Sequence, residues 1–232
     1  MAQIFHPSAN TIARVSIFGA VLTALFLSYL TMGYDRSSWR SGEGERKNQP
    51  VPFSHAHHVK GLGIDCRYCH TSVESSSFAG LPSTKTCMTC HSQIWTNAAL
   101  LKPVRDSWTT NTPIKWQRIH NLPEFVYFNH SIHVNKGIGC VSCHGEVDSM
   151  PLMYQAKSLQ MQWCLECHRA PEKFVRPRTE IYNLHYEPLA DENLIRQGVP
   201  ESQRTQEVQG PKLVAEYHIH KEQMTNCSVC HR

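Results

Sequence analysis

No cysteine in this chain stands outside one short pattern, and no run of basic residues or nucleic-acid motif occurs anywhere in it. The first absence leaves nothing for a disulfide scaffold, since cysteines two residues apart make redox sites rather than staples. The second removes nucleic acid as a partner. Charge is missing from only one long stretch, Val15 to Tyr34, bracketed by Arg14 and Asp35.

What is present is the pattern itself, Cys-x-x-Cys-His, repeated five times among the ten cysteines. The copies are Cys66/Cys69/His70, Cys87/Cys90/His91, Cys140/Cys143/His144, Cys164/Cys167/His168 and Cys227/Cys230/His231. This is the attachment motif of c-type haem. Two thiols add across two vinyl groups, and the following histidine sits under the iron as proximal ligand. Zinc is the rival reading, because the gaps Cys69–Cys87 and Cys143–Cys164 suit a ribbon of two knuckles. The pair at Cys227 then has no partner, and a ribbon needs no histidine after every second cysteine. Five covalently attached haem c groups are therefore expected.

With roughly 40 residues per haem, the chain is too short to build an ordinary apolar core around each one. The macrocycles must form much of the core. The expected fold class is a mostly irregular and α-helical multihaem cytochrome c, haem-cored, with little regular secondary structure and one N-terminal transmembrane helix. Each haem carries two propionates, so the formal charge of +4 turns negative in the loaded chain and Lys and Arg become propionate partners.

The uncharged run is about 30 Å long as a helix, one hydrocarbon thickness. Tyr29 and Tyr34 lie near one end, where interfacial aromatics belong. No small-x-small cleavage site follows it, so an uncleaved anchor in the lipid bilayer is expected over residues 1–35. Arg36, Arg40, Arg46 and Lys47 follow the run, which by the positive-inside rule would put the rest in the cytoplasm. Covalent haem attachment takes place on the outer face of the bacterial membrane, and long domains translocate regardless of flanking charge. The expected location is the bacterial inner membrane, single-pass, with the haem domain on the periplasmic side.

Residues 36–52 read as a linker, flexible first and stiffer at Pro50 and Pro52. An internal repeat follows. Phe53-Ser-His55-Ala-His57-His58 leads to Cys66, and Phe128-Asn-His130-Ser-Ile-His133 leads to Cys140, with one extra residue in the first copy. This defines two dihaem modules, 53–102 and 124–170. Residues 103–123, with Trp108 and Trp116, form a connecting loop packed on haem faces. Residues 171–232 read as an extended, proline-rich segment that wraps this subunit or a neighbour and ends in the fifth site.

His55, His58, His130 and His133 are the expected distal ligands, since histidines three apart share one helical face. His57 has Ile132 as its counterpart and reads as a surface residue. His6 precedes the anchor, and His185 is alone in a long loop. For the fifth distal position Met150 is preferred over His120, Met153, Met161, His218 and His220; a thioether ligand raises the potential of its haem. Core filling is the competing role of any such methionine.

From Phe53 to about Pro177 the phrases Phe53-Ser-His-Ala-His-His-Val, Cys87-Met-Thr-Cys-His, His120-Asn-Leu-Pro-Glu-Phe-Val-Tyr-Phe-Asn-His and Met161-Gln-Trp-Cys-Leu-Glu-Cys-His-Arg resemble a known family. They look like the pentahaem membrane-anchored cytochrome c subunits of bacterial alternative complex III. The resemblance implies an electron-relay subunit of a quinol-oxidising complex, not an enzyme by itself. Its implied partners are an iron–sulfur, molybdopterin-like subunit, quinol-binding integral membrane subunits, and a monohaem cytochrome c or terminal oxidase. Residues 178–222 carry no phrase of that family. Two other functions compete: a stand-alone quinol dehydrogenase, and a multihaem reductase of small molecules. The latter needs an open iron, yet no motif ends in Lys and histidines exceed the number of irons.

Overall fold

The computed structural model describes residues 4–231. It divides into an N-terminal unit ending at Gly42 and a compact unit from Glu43 onward.

In the first unit, α1 spans Ala9–Asp35, about 40 Å at helical rise. None of its residues is buried, and Phe18, Leu22, Leu25 and Phe26 all face outward. Its polar side chains satisfy themselves on the helix: Ser28 donates to the Ala24 carbonyl at 2.8 Å and Thr31 to that of Ser28 at 2.9 Å. This helix is long and apolar enough to cross a membrane. A one-turn helix, α2 (Ser38–Ser41), follows and is closed by Gly42 in the left-handed region at φ 71°.

The second unit is a chain of short helices, and among the described residues it contains no strand, only isolated bridges. Its elements are α3 (Cys66–Cys69), α4 (Thr84–His91), α5 (Lys102–Thr110), α6 (His130–Asn135), α7 (Cys140–His144), α8 (Met161–Arg169), α9 (Glu192–Arg196), α10 (Gln206–Glu216) and α11 (Cys227–Cys230). Every attachment motif lies on a helix that follows an extended residue: Asp65, Ser83, Gly139, Gln160 or Asn226. One turn of helix brings both thiols of a motif to one side. Six buried apolar residues form two small clusters, Val73/Val134/Ile181 and Val147/Met150/Leu184, and Val51, Val104, Val175 and Tyr217 are buried apart from them.

Three sequence expectations change. The linker over 36–52, expected flexible ahead of Pro50, makes contacts from Glu43 onward. Glu43 and Arg46 bridge to Gln155 and Tyr154, Gln49 exchanges two 2.9 Å bonds with the Gln117 backbone, and Val51 is buried. The connecting loop over 103–123 begins as helix: Pro103 takes the first turn of α5, where a missing N–H costs nothing, and Asn111 ends it in the left-handed region. The segment after residue 170 is not extended. Pro171 and Pro188 open short 3-10 turns, and α10 continues through Pro211. This segment wraps its own subunit. Ile181 joins the first cluster, Leu184 joins the second, and the Tyr182 hydroxyl donates to Glu74 at 2.8 Å.

Candidate functional site

The repeat seen in the sequence is also a repeat of ring geometry. Phe53 stacks on His58 at 4.4 Å and meets His55 edge-on at 4.9 Å. Phe128 stacks on His133 at 4.5 Å and meets His130 edge-on at 4.7 Å. Each phenylalanine thus fixes two imidazoles. The extra residue of the first copy is absorbed as π-helix, Ala56–Gly61, where the second copy has the α-helix α6. A π-turn is how a helix takes up one inserted residue without losing its register. Both histidine pairs keep the same relation to their phenylalanine, since the insertion falls after His58.

The histidines then meet the attachment motifs in twos. His58 and His91 have ring centres 6.4 Å apart, His133 and His168 6.2 Å, and His130 and His144 6.3 Å. Two metal–nitrogen bonds of about 2 Å, with the ring centre about 1 Å behind each nitrogen, give about 6 Å between paired axial imidazoles. Most of these rings are locked through Nδ1 on a backbone carbonyl. His70 reaches Gly80 at 2.7 Å, His168 Met224 at 2.9 Å, His231 Phe125 at 3.2 Å, His58 Ser54 at 2.8 Å, His130 Ser77 at 2.9 Å and His133 Asn129 at 2.7 Å. An Nδ1–H donated to a carbonyl fixes the tautomer and turns Nε2 outward as a lone-pair donor to metal. Among the described residues no three His, Cys, Asp or Glu side chains converge as one metal site.

Electrostatics suit neutral ligands. Burial pushes His55 down to about 4, helped by His70 and then His58. Burial and then His120 bring His144 down to about 3. Burial also lowers His133, against the hydrogen bond to Asn129 that raises it. Burial raises the thiols of Cys140 and Cys143 to about 11 and 12. Orphaned polar atoms complete the picture. Nδ1 of His55 and His144 and Nε of Arg176 are buried without a hydrogen-bond partner. The Arg176 guanidinium lies where a Cβ on Gly139 would be, at 2.5 Å, beside the third motif. It is placed for a carboxylate such as a haem propionate. The donor set fits c-type haem: thiols for the bonds, locked imidazoles for the iron and a half-buried guanidinium for the acid groups.

The remaining expected residues fall apart from these pairs. His57 meets only its neighbour His58 edge-on at 5.2 Å and has no motif histidine across from it. His185 is an exposed surface residue bonded to Asp148 at 2.7 Å, which raises its proton affinity. That contact is complete at low pH and fades as pH rises through the raised value. Met150 is 1% exposed, enclosed by Val147, Leu184, Tyr154 and Ala156. Every histidine in the pairs keeps some open surface, whereas Met150 is enclosed by neighbouring side chains. His120 lies edge-on to His144 at 4.4 Å, too close for an iron between them, and its Nε2 is buried with no partner. Sequence reasoning assigned no role to Phe53 and Phe128. Their place two residues before the first histidine of each copy was the available signal.

His120 supports the back of His144. Of the proximal histidines, His144 alone has a buried Nδ1 without a carbonyl partner, and His120 is the polar ring against it. Replacing His120 with Phe is expected to leave the spin state of every haem unchanged while moving the midpoint potential of one haem upward. Redox titration followed by electron paramagnetic resonance checks both points.

This is the site of a multihaem c-type cytochrome. Two family profiles match consecutive parts of the chain: the class III cytochrome C family over residues 35–115, and cytochrome c7 and related cytochrome c over residues 126–232. A menaquinone reductase multihaem cytochrome c subunit from Nitratidesulfovibrio vulgaris is 32% identical, over 53% of this chain and 69% of that protein. The chain belongs to this family of multihaem cytochrome c subunits.

Proposed function

We propose that this chain is the membrane-anchored pentahaem cytochrome c subunit of a quinol-oxidising complex of the alternative complex III kind. The observation that supports it most is the set of histidine pairs 6.2–6.4 Å apart, each including an attachment-motif histidine. Haem, when bound, supplies one-electron carriage. The chain's residues hold it at Cys66/Cys69, Cys87/Cys90, Cys140/Cys143, Cys164/Cys167 and Cys227/Cys230. His70, His91, His144, His168 and His231 are the proximal ligands. His58, His130 and His133 face three of them, and His55 is assigned to His70, which acts on it electrostatically. Closed axial positions at these four irons leave them no room for a substrate, so they relay electrons rather than carry out chemistry.

In this reading α1 anchors the chain in the inner membrane with the haem unit outside. Electrons come from quinol-binding membrane subunits through an iron–sulfur, molybdopterin-like subunit, and leave to a monohaem cytochrome c or an oxidase. The Nitratidesulfovibrio relative favours a second reading, in which the same relay delivers electrons to menaquinone. Mild detergent extraction of the intact assembly, subunit masses and assays in both directions test the proposal. A large assembly whose quinol-to-cytochrome c activity is lost when this chain is stripped away supports it. Activity only towards quinone supports the second reading, and a lone subunit that oxidises quinol or reduces a small molecule overturns both.

For the fifth distal position, the enclosed thioether makes Met150→Leu informative. It is expected to leave the spin state of every haem and the highest potential unchanged, as a volume-conserving core swap does. A new high-spin signal would restore Met150 as a ligand.

A further inference from the structure

We propose that the five attachment motifs lie along one unbranched line in the order second, first, third, fourth, fifth, so that the relay begins and ends at Cys87–His91 and Cys227–His231. This rests on the reading of the motifs as haem sites and adds which sites are ends and which are interior.

Four junctions carry it. The first and second motifs touch directly: the Tyr68 hydroxyl, between Cys66 and Cys69, is 2.8 Å from that of Thr89, between Cys87 and Cys90. His58, which leads into the first motif, faces His91 of the second. The first and third motifs share an apolar cluster, in which Val73 just after His70 packs with Val134 and Ile181 and Cys140 lies against them. Beside that cluster the backbone N–H groups of His130 and Ser131 donate to Ser77 and Ser76, and the Asn135 amide to the Glu74 carbonyl. The third and fourth motifs are joined through His133, which leads into Cys140 and faces His168. The fourth and fifth are joined where His168 donates to the Met224 carbonyl, three residues before Cys227.

Exposure agrees with this order. Cys90 and Cys227, one from each end motif, are the exposed thiols, and beyond the second motif Ile94 and Trp95 also face outward. A line following chain order would instead make the first motif an end and the second interior.

The test counts neighbours in the detergent-extracted holoprotein. Removing one distal histidine makes one ferric haem high-spin, and its larger moment broadens the low-spin signals of adjacent haems. The double variant His57→Ala/His58→Ala opens the second site and denies it a substitute ring. It is expected to broaden one low-spin signal, whereas His133→Ala, opening the fourth site, broadens two. Two broadened signals for the first variant, or one for the second, would overturn the order while leaving the relay intact. If neither variant shows a high-spin signal at unchanged haem content, the ligand pairs themselves are wrong and the order falls with them.

Discussion

The Cys140→Ser/Cys143→Ser variant is expected to lose one haem mass and, on the proposed function, more than about 100-fold of quinol-to-cytochrome c turnover with it. Losing a partner of a metal ligand costs about 10–100-fold, and here the whole site is lost. The third motif carries the effect because of its place. Val73 from the first module packs beside Cys140 on one side, and His133 faces His168 on the other. Without the middle site the first two sites are cut off from the last two, and tunnelling falls steeply with the distance left to cross. The remaining haems should still reduce with a strong soluble reductant, which shows that they are present and only disconnected. Turnover close to that of the unmodified complex would mean that electrons bypass the third site.

Gly210→Val is expected to be the most damaging single substitution for stability, at about 3 kcal/mol or more, the upper end of overpacking costs. A Cβ at Gly210 would lie 1.9 Å from the carbonyl oxygen of Glu172, a backbone atom that cannot swing aside. The same carbonyl accepts from the Gln206 side chain at 2.7 Å, which also donates to Val175 at 2.8 Å. Helix α10 therefore grips the turn after the fourth motif through its backbone, and fully buried Val175 sits under that grip. Gly33→Ala on α1, where nothing lies within 4 Å of the new methyl, is the control and should melt like the unmodified protein. Thermal unfolding followed by circular dichroism decides; equal melting of both variants would contradict the packing.

Much of the site could be read before the structure, because haem attachment is a local requirement. Two thiols and a histidine must come from one turn of chain, so each motif is visible as a word. The repeat was legible for the same reason, down to the inserted residue that the structure takes up as π-helix. What could not be read depends on contacts far apart in sequence. The prolines of 171–232 look like helix breakers, yet Pro171 and Pro188 start turns and Pro211 lies inside α10. That helix forms because Gly210 lets it approach Glu172, 38 residues away. Met150 lies at the spacing of a ligand, but Leu184 closes over it from the same late segment. His120 stands in a stretch without periodicity, and only the folded chain shows its ring against His144. The few apolar clusters follow from composition; which motif neighbours which does not.

The most direct measurement is the intact mass of the chain from detergent-extracted membranes, with and without an alkylating thiol reagent. The account predicts the polypeptide plus five haems and no alkylation of any of the ten cysteines. Alkylatable cysteines with bound zinc, or a mass without haem, would contradict it.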